Sequence, residues 1–194
     1  SWKFLPRPLH LIGVSCARSM AATAAEATTA GGPRRRLLVL NGQGLDVRGT
    51  TEETRIAFRS TAVLADYDRR IHSAAEELGV QVEHVQINDL AEFIARLQGA
   101  TEDAIVINPV GLMGSQELAD CIAGLSKPVI EVHYGNLMAK GKTSKVSAVC
   151  RAFICGAKLE SYALGMRAAV AALEPSDAAF EYTPPAPSEP AAGS

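Results

Sequence analysis

Residues 37–50, LLVLNGQGLDVRGT, set four apolar residues in a row before a loop of three glycines, an asparagine, an aspartate and an arginine. Side chains alternate between the two faces of a strand, so an unbroken apolar run suits a strand buried on both faces, as in a parallel sheet. The run is read as the first strand of such a sheet. The polar, glycine-rich loop at its end is read as a surface that meets a ligand.

Outward from this strand the apolar period switches repeatedly. Residues 61–79, TAVLADYDRRIHSAAEELG, put Val63, Tyr67, Ile71, Ala74 and Leu78 on one helical face, closed by Gly79. VQVEHVQI, 80–87, is a second strand, and Asn88 or Asp89 caps a helix whose Leu90, Phe93, Ile94 and Leu97 face inward. AIVIN, 104–108, is the third strand, and SQELADCIAGL supplies a helix with Leu118, Cys121, Ile122 and Leu125 on one side. PVIEVH, 128–133, is the fourth strand, SAVCRAFI, 147–154, the fifth, and LESYALGMRAAVAAL, 159–173, the last helix.

Alternation of strand and helix predicts an α/β fold with a parallel, doubly wound sheet, because each parallel strand needs a crossover to reach its neighbour. Ligands of such sheets sit beyond the carboxyl ends of the strands, where the strand order reverses. Four polar ends converge there: Asn41-Gly42-Gln43-Gly44, Asn88-Asp89, Asn108-Pro109-Val110-Gly111 and His133-Tyr134-Gly135-Asn136.

The chain of 194 residues is 47% hydrophobic and 21% charged, with a net charge of −2. These values fit one globular domain, give no electrostatic reason to expect nucleic acid or an acidic membrane, and favour a small partner. No apolar run reaches the roughly 18–20 residues of a membrane span. Cys16, Cys121, Cys150 and Cys155 form no CxxC pair, so neither zinc nor a disulfide framework is expected, and a reducing, cytoplasmic setting is. Residues 1–35 are read as a flexible extension whose basic residues also admit organelle targeting, and 175–194 as a disordered Pro/Ala-rich tail. The folded domain is placed at 36–174.

Two phosphate-binding readings fail on spacing. Gly42, Gly44 and Gly49 read GxGxxxxG with no helix directly after them, and five residues, not four, separate Gly135 from Gly141-Lys142. Lys140, Lys142 and Lys145 are read as a basic flap that attracts an anion. The most useful residue is His133. Glu131, two positions earlier on the same strand face, would orient or charge its imidazole, although a structural strand-end histidine is the competing reading. His72 and His84, on expected solvent faces, receive no role.

With these strand ends in view, the chain resembles the type II 3-dehydroquinate dehydratases over residues 36–173. LVLNGQGL stands against that family's Asn-Gly-Pro-Asn-Leu, VQIND against Gln-Ser-Asn, INPVG against Asn-Pro-Gly-Ala, and EVHYGN against Glu-Val-His-x-Ser-Asn. The resemblance implies a flavodoxin-like, five-stranded, three-layered domain without metal or cofactor. It also implies a homo-oligomer, trimer or dodecamer, acting on a small cyclic substrate. In the family a lid tyrosine, helped by a lid arginine, removes a proton beside a ketone, and the motif histidine protonates the leaving oxygen. His133, Glu131 and Asn108 match the acid, its orienting carboxylate and a substrate-holding residue, with Asn41 and Asn136 flanking.

The base half departs from the pattern. TTEETRIAFRS, 50–60, contains no tyrosine; Gly44 stands for the second loop asparagine, Gly114 for a substrate-holding histidine, and Lys142 or Ser144 for a second arginine. Glu52 or Glu53 is the substitute base on the lid, with Arg55 steadying the developing charge, and the bland reading of these residues is a solvated loop. Asn41, Gly44, Asn88, Gly111, Gly114, Tyr134 and Asn136 are the expected substrate-binding positions. The expected function is a dehydroquinase-like lyase or isomerase that enolises or dehydrates a cyclic carbonyl compound, bulkier and less anionic than the family's. An ordinary 3-dehydroquinate dehydratase and an inactive binding or assembly subunit are the alternatives.

Overall fold

A computed structural model describes residues 33–174. The expectations for residues 1–32 and 175–194 therefore lie outside the described residues. In chain order the elements are β1 (Arg36–Asn41), α1 (Glu52–Phe58), α2 (Leu64–Leu78), β2 (Gln81–Gln86), α3 (Leu90–Gln98), β3 (Ala104–Asn108), α4 (Gln116–Ala123), β4 (Val129–His133), β5 (Ala152–Cys155) and α5 (Glu160–Ala171). All five strands are parallel, in the order β2-β1-β3-β4-β5. This is the flavodoxin-like order, and the reversal falls between β1 and β3.

Alternating residues of β1 feed two separate cores. Leu37 and Val39 pack with Tyr67 and Ile71 of α2 and Tyr162 and Met166 of α5. Leu38 and Leu40 pack with Phe93 and Leu97 of α3 and Leu118 and Ile122 of α4. The unbroken apolar run thus reflects helices on both faces of the sheet. Full burial of each such side chain contributes about 1.5–3 kcal/mol, and truncating one to Ala costs about 2–5 kcal/mol.

The helix boundaries follow capping chemistry. Asp89 accepts from the Glu92 amide at 3.0 Å at the start of α3, and Ser115 accepts from the Leu118 amide at 3.1 Å at the start of α4. Gly79 closes α2 in the left-handed conformation at φ +66°. At Gly165 of α5 a Cβ would lie 2.4 Å from Val132 Cγ1, so the missing side chain lets α5 settle directly onto β4.

The loops after β1 and β3 close on each other. The Gly42 amide donates to the Asn108 carbonyl at 2.8 Å and the Gly111 amide to the Gln43 carbonyl at 3.1 Å. A Cβ at Gly42 would sit 2.3 Å from the Pro109 carbonyl oxygen.

Three departures from the expected elements bear on the site. Residues 52–58, expected as an open lid, form α1, because Thr51 accepts from the Thr54 amide at 3.2 Å in a capping box and Arg59 ends the helix at φ +49°. The following helix starts at Leu64, where Asp66 accepts from the Val63 amide at 2.9 Å. β5 is four residues long, not eight, because only Ala152–Cys155 find partners along β4. Ser147 is thereby freed from the sheet. No described helix is long and apolar enough to cross a membrane.

Candidate active site

β4 carries its chemistry at its carboxyl end. Glu131 is completely buried and His133 is 5% exposed. Period-two alternation puts both side chains on one face, and His133 Nε2 meets Glu131 Oε1 at 2.8 Å. Ser147 donates to the other carboxylate oxygen at 2.6 Å. Burial drives the Glu131 carboxyl upward, but hydrogen bonds led by that from His133 and joined by that from Ser147 outweigh it and hold the group below the usual carboxylate range. An ionised carboxylate only accepts, so Nε2 carries a proton and donates. Nδ1 is left without a hydrogen-bond partner among the described residues.

His133 lines a cavity of about 340 Å³ beyond the ends of β1, β3 and β4, at the reversal of strand order. That volume lies in the roughly 300–1,000 Å³ range of small-ligand sites. Arg48, Arg59, Lys140 and Lys142 share the wall with His133 and Tyr134, and no carboxylate lies on it. Phe58, Val110, Met113 and Leu137 supply its apolar surface. Val110 takes φ +46°, a left-handed conformation in which a β-branched residue is strained.

Few of the other expected residues reach this wall. Asn41 and Asn108 are buried on the α5 side, where Tyr162 joins them: Asn108 Nδ2 donates to the Tyr162 hydroxyl at 2.7 Å, which donates to Asn41 Oδ1 at 2.8 Å. Asn41 Nδ2 lies 2.6 Å from His84 Nε2, and His84 Nδ1 lies 2.9 Å from Asp68 Oδ1. His84 is therefore enclosed, not solvent-facing as expected, with a side chain only 5% exposed. Asn88 braces the first loop by accepting from the Gly44 amide at 3.0 Å and donating to Asp46 at 2.9 Å. Asn136 accepts from the Ala139 amide at 3.1 Å. Gly44, Gly111 and Gly114 lie outside the lining, and a side chain at Gly111 would strike Gln43.

The lid residues also fall elsewhere. Glu52 and Glu53 are exposed, Glu52 pairs with Arg55 at 3.7 Å, and Arg55 Nε donates to the Gly49 carbonyl at 3.1 Å. None of the three lines the cavity; their segment reaches it through Ala57, Phe58 and Arg59. The residues that sequence reasoning missed are Arg48, Arg59, Ser147 and Tyr162. Arg48 had a signal, as the one cation in the opening loop, but its burial depends on α1 folding over it.

The family described as dehydroquinase class II matches residues 35–170. The chain belongs to the class II dehydroquinases. It is 42% identical to a 3-dehydroquinate dehydratase of Desulforudis audaxviator, over 70% of this chain and 92% of that one. It is 35% identical to one of Syntrophotalea carbinolica, over 70% and 94%. Among solved structures it is similar to a type II dehydroquinase of Propionibacterium acnes, with 29% identity, a TM-score of 0.61, and coverage of 70% of this chain and 97% of that one. A type II dehydroquinase of Butyrivibrio crossotus gives 26% and 0.64, with coverage of 72% and 99%. The expectation of a hydro-lyase of the dehydroquinase family, on a flavodoxin-like fold, stands with these matches.

Proposed function

We propose that this chain dehydrates 3-dehydroquinate. The observation that carries the reading is a histidine, held by a buried carboxylate, on the wall of a cavity lined by four cations and no acid. Relatives that span nearly their whole length bear the name 3-dehydroquinate dehydratase. The cationic wall suits a cyclic ketone that carries a carboxylate, and nothing in it favours the less anionic substrate expected from the sequence. A base removes a proton from the carbon beside the ketone, and the electron pair moves onto the carbonyl oxygen as an enolate. The pair then returns, the carbon–oxygen bond to the β-hydroxyl breaks, and His133 Nδ1 supplies the proton with which that oxygen leaves as water. The positive charge around the cavity lowers the energy of the enolate.

With Glu52 and Glu53 off the wall, Tyr134 is the phenol that lines the cavity, and we assign it the base. Incubation with 3-dehydroquinate and detection of the enone by its ultraviolet absorbance tests the reading. His133→Ala is expected to lower turnover about 10²–10⁴-fold, and Tyr134→Phe by a similar factor. Wild-type protein that forms no enone would leave the inactive subunit as the better account. The working unit is proposed to be a homo-oligomer, trimer or dodecamer, and sedimentation as a monomer would count against it.

A further inference from the structure

Arg48 stands in an unusual place for a permanent charge. It is more than nine-tenths buried, in the loop between β1 and α1, on the wall of the cavity. Its guanidinium carbon lies 4.4 Å from the centre of the Phe58 ring, and Nη1 donates one long bond, 3.4 Å, to the Tyr67 hydroxyl. Nε is buried with no partner at all. Among the described residues no carboxylate forms a salt bridge with it. A guanidinium does not shed its proton, so the charge persists where water and counter-charge are both scarce.

A buried unpaired charge is costly to the fold unless something pays for it. The stacking on Phe58 and the bond to Tyr67 are weak compensation, and Nε has no protein partner. A guanidinium on a cavity wall has the planar donor geometry that receives both oxygens of a carboxylate. We infer that Arg48 is the residue that binds the carboxylate of the ligand in this cavity. This inference rests on the function proposed above for the class of ligand, but not on turnover. Arg59, Lys140 and Lys142 are exposed and draw anions toward the site, whereas Arg48 fixes where the anion comes to rest.

The test uses quinate, a cyclic hydroxy acid that keeps the carboxylate and lacks the ketone, so that binding is measured without reaction. Calorimetric titration of the full chain with quinate is expected to give a Kd weakened about 100-fold in Arg48→Met. Arg48→Lys, which keeps the charge and loses the fork, is expected to weaken it about 10-fold. Methyl quinate, without the negative charge, is expected to bind wild type and Arg48→Met alike. Ligand-free Arg48→Met is expected to melt no lower than wild type, which a merely structural arginine would not allow.

Quinate binding that is unchanged in Arg48→Met, absent in wild type, or lost to the same degree for acid and ester would overturn the assignment. If Arg48→Met does not fold, Arg48→Lys decides by the same comparison. Wild type that binds quinate through Arg48 yet leaves 3-dehydroquinate unconverted sinks the catalytic reading and keeps this one. Turnover with a Kd indifferent to residue 48 does the reverse.

Discussion

Glu131 holds a negative charge in complete burial, and two hydrogen-bond donors, His133 and Ser147, pay attention to its separate oxygens. Its depressed pKa fixes the sign of a pH effect. The folded protein binds the proton less readily than the unfolded chain, whose glutamates titrate near 4.5. The stabilisation is therefore complete above that value and disappears as pH falls through the folded value. Glu131→Gln is expected to cost about 1–3 kcal/mol at pH 7, with the gap to wild type closing as pH falls below the ordinary glutamate range, measured by urea unfolding at both ends. Val110 makes the opposite case. Replacing a left-handed valine by glycine relieves strain, so Val110→Gly is expected to leave the melting temperature unchanged or raised, while Val132→Gly, in the core of β4, costs about 3 kcal/mol or more. The Glu131-His133 pair was legible because strand alternation alone puts it on one face. Ser147 was not, because its contact depends on where β5 begins.

Between elements, one row of polar groups crosses from α2 to β3. Asp68, His84, Asn41, Tyr162 and Asn108 belong to five different elements and are joined by contacts of 2.6–2.9 Å. Tyr162→Phe keeps the ring but leaves Asn41 Oδ1 and Asn108 Nδ2 buried without the hydroxyl that joins them. A loss of about 1–3 kcal/mol in urea unfolding is expected, with a larger fall if Asn41 swings toward the cavity loops. A second tie is ionic. Arg96 of α3 meets Glu102 at 2.6 Å and Glu83 of β2 at 3.0 Å. Burial raises the Glu102 carboxyl, but the Arg96 bond outweighs it and holds the group at about 2. Its stabilisation is present above the ordinary value of 4.5 and is lost between there and about pH 2. Arg96→Met is expected to cost about 2–3 kcal/mol at pH 7 and little at pH 2.5. The period of apolar residues revealed every strand and four of the five helices. α1 escaped because it buries no residue and carries no apolar stripe, and the partners of Asn41 and Asn108 escaped because contacts across 54 and 121 positions leave no local mark.

At the scale of the whole molecule, a net charge of −2 conceals a cationic cavity. Its attraction for an anion weakens as the screening length shrinks, to about 8 Å at 0.15 M salt. KM for 3-dehydroquinate is expected to rise with added sodium chloride, with kcat changing less, in initial-rate measurements; a KM indifferent to salt would show that the exposed cations take no part. The cavity wall is also unevenly backed. Val110 on the wall follows directly on the place where the turns after β1 and β3 meet, and there Gly42 rests against Pro109 with no clearance for even one more carbon atom. That junction is a fixed anvil. Breathing that admits a guest falls to the exposed stretches of the wall, Arg59 with Lys140 and Lys142, so amide deuteration should be slowest at Gly42 and fastest along those stretches.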